Sequence, residues 1–164
     1  MLDYTPVNMG MICFGKTPEK LGTLLGSCIG LALYDKKRKI GALAHIMLPL
    51  NENINESTAE KSQNGKYADT AINEMVKYLR NNGVCNGEIE AKFAGGAEMF
   101  SIKKTNAMKI GKRNEEAVKQ ILREKNIRIV NSDTGGNTGR KIIFDLNSFT
   151  FNIYSSNNIL TKTI

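Results

Sequence analysis

Two residues of this chain could together carry out covalent chemistry. Cys28 lies in Leu25-Gly26-Ser27-Cys28-Ile29-Gly30, among small residues at the mouth of an apolar run, and the one histidine, His45, follows in Ala42-Leu43-Ala44-His45-Ile46. A thiol with a pKa of about 8.5 holds little thiolate at neutral pH, so a nucleophilic cysteine calls for a neighbouring imidazole; an imidazolium would hold the thiolate and later return its proton. Gly26 and Ser27 flank the sulfur with backbone N–H groups that could be aimed at a carbonyl oxygen held there. A nucleophile, a base and a possible oxyanion hole are the parts of a cysteine hydrolase. Cys13 and Cys85 have no histidine near them in sequence and read as buried structural thiols. Three cysteines without a CxxC spacing argue against a disulfide framework and a zinc site.

Whether Cys28 can meet His45 depends on the element between them. The apolar stretches on either side of the charged Asp35-Lys36-Lys37-Arg38-Lys39 predict a β-hairpin, with strands over 29–34 and 40–48. An even-numbered turn centred on Lys37 and Arg38 sets His45 opposite Gly30 and Cys28 opposite Met47. Cys28, Gly30, Ala32 and Tyr34 then share a face with Gly41, Leu43, His45 and Met47, while Ile29, Leu31, Leu33, Ile40, Ile46 and Leu48 form an aliphatic face for the core. On that register Cys28 and His45 are diagonal neighbours, with β-carbons ~7 Å apart. Gly30 and Gly41 would leave their face open near the pair. An odd-numbered turn would put the two residues on opposite faces, and spacing alone also admits a reading in which both are packing residues.

Further along, Ala68, Ala71, Ile72, Met75, Val76 and Leu79 recur with helical period and predict a helix over 67–81, stopped by Asn81-Asn82-Gly83. Ile89, Ala91 and Phe93 alternate as a strand before Gly95-Gly96. A second helix is expected over 115–124, with Asn114 as its N-cap and two acids in its first turn. Strands are predicted over 127–130, 140–145 and 150–154, and the glycines of Asp133-Thr134-Gly135-Gly136-Asn137-Thr138-Gly139-Arg140 suit a turn of positive φ better than a phosphate loop, whose spacing they lack. Residues 49–66 are polar, aperiodic and predicted to be a long loop.

The length of 164 residues and 41% hydrophobic content suit a single α/β domain over 1–164, layered, with a mostly antiparallel or mixed sheet and two main helices. The N-terminus has neither a signal-peptide pattern nor an apolar span, so a cytoplasmic protein that does not insert into the membrane is expected. The net charge of +7 suggests an acidic partner. Lysines and arginines are scattered, densest at 36–39 and 103–113, without the interleaved aromatics of a single-strand platform, so nucleic acid is not the expected partner.

The segments TLLGSCIGLALYD at 23–35, GALAHIMLP at 41–49, GKYADTAI at 65–72, EAKFAGGAEMF at 90–100, IGKRNEEAV at 110–118 and DTGGNTGR at 133–140 resemble, in order, those of the CheD family of bacterial chemotaxis. The resemblance implies a cysteine-hydrolase fold similar to toxins that deamidate glutamine. It also implies an active site in which Cys28 and His45 match the family's cysteine and histidine and Thr23, five residues before the cysteine, matches its threonine. The implied reaction converts glutamine side chains on the helical cytoplasmic part of chemoreceptors to glutamate through a thioester on Cys28, with no metal or organic cofactor, and in some members extends to receptor methyl esters. A phosphatase of the CheC type is an implied partner. A different reading is a non-catalytic regulator that binds phosphatase or receptor through the same surface.

Overall fold

The structure, a computed structural model, describes residues 3–52, 63–99 and 109–164. Most of the predicted polar loop over 49–66 and part of the basic cluster at 103–113 lie outside the described residues. In chain order the described elements are β1 (Thr5–Pro6), β2 (Ile12–Lys16), β3 (Lys20–Leu25), β4 (Ile29–Asp35), β5 (Ile40–Ile46), α1 (Ala68–Asn81), β6 (Glu90–Gly95), α2 (Ile110–Glu124), β7 (Arg128–Thr134), β8 (Arg140–Asp145), β9 (Thr150–Tyr154) and β10 (Leu160–Thr163). The strands form two five-stranded mixed sheets. One has the order β1, β3, β8, β9, β10 and the other β2, β5, β4, β6, β7. Only the β1–β3 and β6–β7 pairs are parallel among these.

The predicted hairpin is the centre of the second sheet. Asp35 pairs with Ile40 across a four-residue turn, and Gly30 stands opposite His45 as the even-numbered turn requires. Asp35 itself holds the turn: its carboxylate, 2% exposed, accepts from the Lys37 N–H at 2.9 Å and the Arg38 guanidinium at 2.7 Å. This register sends Ile29, Leu31, Leu33, Ala42, Ala44 and Ile46 to one side, where they pack with the apolar stripes of α1 and α2.

The opposite face of the hairpin is not open. Ala32, Tyr34 and Leu43 are buried with Leu21, Leu25, Ile142, Phe144 and Phe151 of the first sheet, so a second core fills the space between the sheets. The glycines on this face bring the sheets together. A β-carbon on Gly30 would stand 2.4 Å from Ile142 Cδ1, and one on Gly41 would stand 2.9 Å from both Leu146 Cδ2 and Tyr34 Cβ. Ile142 of β8 and Leu146 just after it occupy the room that Gly30 and Gly41 were expected to leave vacant.

Helix α1 and strands β6, β8 and β9 fall where the sequence predicts them, β7 runs beyond its predicted end at Val130 to Thr134, and β5 stops at Ile46 rather than Leu48. Strands β1, β2, β3 and β10 carry no clear alternation and were not expected. Helix α2 begins at Ile110 rather than Glu115, with Lys109 as its N-cap and no acid in its first turn. Asn114 is therefore inside the helix, fully buried on the same stripe as Ala117, Val118 and Ile121.

Candidate active site

The chain passes from the first sheet to the second through the three-residue bend Gly26-Ser27-Cys28, between β3 and β4. A second crossing, residues 135–139 between β7 and β8, runs beside it: a β-carbon on Gly139 would lie 3.1 Å from the Leu25 carbonyl oxygen. Gly135 and Gly136 have φ of +83° and +76°, as the turn reading of this segment requires.

The Cys28 bend is tied down by β6 and the residues after it. Gly96 N–H donates to the Cys28 carbonyl at 2.9 Å, and Ala97 N–H to the Gly26 carbonyl at 2.9 Å. The fit demands glycine at position 95, where φ is +119° and a β-carbon would be 2.1 Å from the Cys28 carbonyl oxygen. From the other side, the Asn114 side-chain amide donates to the Ser27 carbonyl at 3.1 Å and to the Met47 carbonyl at 3.0 Å. Cys28 itself is half-buried.

Thr23 and His45 stand on different sheets and meet in the space between them. Thr23, on β3, is 7% exposed and His45, on β5, 3%. Thr23 Oγ1 donates to the Val7 carbonyl at 2.6 Å and lies 2.7 Å from His45 Nδ1. Because the hydroxyl proton is committed to Val7, the Thr23 oxygen accepts from Nδ1–H. In the neutral imidazole this puts the proton on Nδ1 and leaves Nε2 as the base. The structure thus brings Thr23 directly against His45, while the β4–β5 register ends at the Ile29–Ile46 pair and Cys28, in the bend just before it, packs against the core between the sheets. Ser27 and Gly26 belong to the bend itself.

The electrostatics correct one expectation. Burial pushes the Cys28 thiol above its ordinary value. Burial also pushes His45 below its own, with the Val7 carbonyl pulling weakly the other way. Both shifts favour a neutral thiol beside a neutral imidazole over the standing thiolate and imidazolium that the sequence suggested. A neutral pair of this kind suits general-base chemistry rather than a standing ion pair. The other cysteines also differ from expectation, since Cys13 is half-buried and Cys85 exposed. Among the described residues no cluster of three or more His, Cys, Asp or Glu side chains is arranged to hold a metal ion.

Asn114 is the residue that sequence reasoning misplaced. An asparagine followed by two glutamates resembles a helix cap. The contrary signal was its position three, four and seven residues before Ala117, Val118 and Ile121, a polar group on an apolar stripe.

A thiol on a fixed bend, an imidazole with its tautomer set and a hydroxyl that sets it have the parts of a hydrolase working through a covalent intermediate. The chain belongs to the CheD family: the family model described as CheD chemotactic sensory transduction matches residues 47–155. A probable chemoreceptor glutamine deamidase CheD of Methanococcus vannielii is 40% identical over 153 residues, covering 93% of this chain and 96% of that one. The chemoreceptor glutamine deamidase CheD of Bacillus licheniformis is 48% identical over 135 residues, covering 79% and 77% of the two chains. The crystal structure of a Bacillus licheniformis hypothetical protein, YfiH, superposes with a TM-score of 0.46 at 13% identity over 80% of this chain and 58% of that one, a likeness too distant to bear on function.

Proposed function

We propose that this protein hydrolyses the side-chain amide of specific glutamines on chemotaxis receptors, yielding glutamate and ammonia. The observation that carries the reading, in a chain of this family, is the 2.7 Å contact of Thr23 Oγ1 with His45 Nδ1. It leaves Nε2 unprotonated between the sheets, where Cys28 packs against the core. His45 Nε2 takes the thiol proton as Cys28 Sγ attacks the amide carbon, and the oxyanion forms against backbone N–H groups of the bend at Gly26, Ser27 and Cys28. The imidazolium keeps its Nδ1–H on Thr23 and gives its Nε2 proton to the departing nitrogen. Ammonia leaves and a thioester to Cys28 remains. His45, now neutral, deprotonates a water that attacks the thioester; the tetrahedral intermediate expels the thiolate, which recovers the proton, and the γ-carboxylate departs. The same steps would cleave a glutamyl methyl ester, with methanol in place of ammonia.

The substrate is a receptor's helical cytoplasmic region, which places the reaction in the cytoplasm. Among the described residues no helix is long and apolar enough to cross a membrane. The net charge of +7 suits an acidic helical partner. Leu24 and Met99, 70% and 50% exposed, offer apolar contact beside the bend. A phosphatase of the CheC type would compete for this surface.

The test is incubation of a purified receptor cytoplasmic fragment with the protein, followed by peptide mapping and an ammonia assay. Conversion of discrete glutamines to glutamate with equimolar ammonia is expected, and Cys28→Ala should lower the rate by at least ~10⁴-fold. No conversion by the wild type would refute the reading. An unchanged receptor together with tight binding would favour the non-catalytic regulator.

A further inference from the structure

The two carbonyls that Asn114 binds belong to the two segments the chemistry must align. Ser27 precedes the nucleophile, and Met47 lies two residues beyond the base. Asn114 approaches both from α2, on the side of the second sheet away from the first. The Ser27–Cys28 peptide is planar and trans, so its carbonyl and the Cys28 N–H point in opposite directions. A carbonyl held toward α2 therefore aims the Cys28 N–H toward the space between the sheets, where His45 meets Thr23. Among the described residues, no backbone hydrogen bond outside the regular elements uses the N–H of Ser27 or Cys28 as donor.

We infer that Asn114 is a positioning residue that locks the Ser27–Cys28 peptide with its N–H facing the substrate, so that the oxyanion hole is formed before substrate arrives. Without the lock, that peptide could rotate, turning a carbonyl where a donor is needed. The carbonyl of Met47, held by the same amide, keeps the end of β5 in register with the bend. Asn114 spends both of its N–H donors on these carbonyls, while its Oδ1 is buried and has no partner among the described residues. An amide kept at full burial with its oxygen unsatisfied points to a demand for its two donors.

The inference rests on the deamidase reading for its kinetic test and stands apart from it in the others. In Asn114→Ala, kcat for glutamine conversion on the receptor fragment should fall ~10²- to 10³-fold, the effect of losing an oxyanion donor, with KM within ~3-fold. Alkylation of Cys28 by iodoacetamide, read by peptide mapping, develops no oxyanion and should stay within ~3-fold of wild type. Nitrogen-15 relaxation dispersion at the Cys28 amide should be flat in the wild type and show exchange in Asn114→Ala. Asn114→Ser, whose smaller side chain admits a water to bridge the carbonyls, covers the case in which the alanine variant does not fold, and kcat should again fall far more than alkylation. A folded variant with wild-type kcat, or one whose alkylation falls as far as its kcat, would overturn the lock. If the wild type converts no glutamine, the deamidase reading fails, and the dispersion then decides the lock: exchange appearing only in the variants supports it, and identical profiles overturn it.

Discussion

Toward the helices, β4 and β5 present Ile29, Leu31, Leu33, Ala42, Ala44 and Ile46; toward the first sheet they present Gly30, Ala32, Tyr34, Gly41, Leu43 and His45. The first face is uniform, buried by helices that need only an apolar stripe, and each of its larger side chains contributes about 1.5–3 kcal/mol by leaving water. The second is uneven. Two glycines admit the side chains of the opposing sheet, and Tyr34 stacks with Phe149 and packs against Phe144. One histidine finds its partner on the other sheet. The close approach that Gly30 permits, directly opposite His45, lets a threonine hydroxyl of one sheet reach an imidazole of the other. The helix side thus holds the hairpin, and the sheet side uses it.

If that division is right, substitutions on the two faces should separate activity from stability. Of substitutions in the paired strands, His45→Asn should have the largest effect on turnover, lowering kcat by ~10² to 10⁴ through loss of general acid–base catalysis while the protein remains folded. A variant with near wild-type kcat would remove His45 from the mechanism. Thr23→Val should come next. It removes the hydroxyl that accepts from His45 Nδ1–H and donates to the Val7 carbonyl, loosening the tautomer, so kcat should drop ~10- to 100-fold, part of the general acid–base contribution. Stability should fall by about 1–3 kcal/mol in denaturant melts, and Thr23→Ser should restore most of both. Leu31→Ala should do the reverse, costing ~2–5 kcal/mol of stability while kcat per folded molecule stays within error of wild type.

The parts of this arrangement that could be read from the chain are those fixed by local period. The β4–β5 register, with Gly30 opposite His45, followed from an even-numbered turn. Helix α1 followed from its stripe. What period cannot carry is the meeting of two sheets. Gly30 looks the same in a sequence whether the space above it is empty or filled by Ile142, which comes from far along the chain. That ambiguity produced the expectation of an open face. The match of Thr23 came from the family resemblance and not from spacing, because β3 belongs to the other sheet. The electrostatic difference has the same root, since burial shifts Cys28 and His45 where the hairpin meets the first sheet.

The central claim is that this inter-sheet space sets His45 neutral, with its proton on Nδ1 and its base nitrogen free for Cys28. Because His45 is the chain's one histidine, nitrogen-15 labelling of histidine gives one imidazole, whose two nitrogen shifts report tautomer and charge directly. The unfolded chain takes up its imidazole proton near pH ~6.5, and burial delays this in the folded protein to lower pH. Within that window the unfolded state binds more protons, so the stability due to His45 is present above it and is lost as pH falls through the folded value. At pH 7 the expected spectrum is that of a neutral Nδ1–H tautomer, titrating below the ordinary imidazole range, and Thr23→Val should mix the tautomers. An Nε2–H tautomer, or an imidazolium persisting at pH 7 and above, would contradict the account.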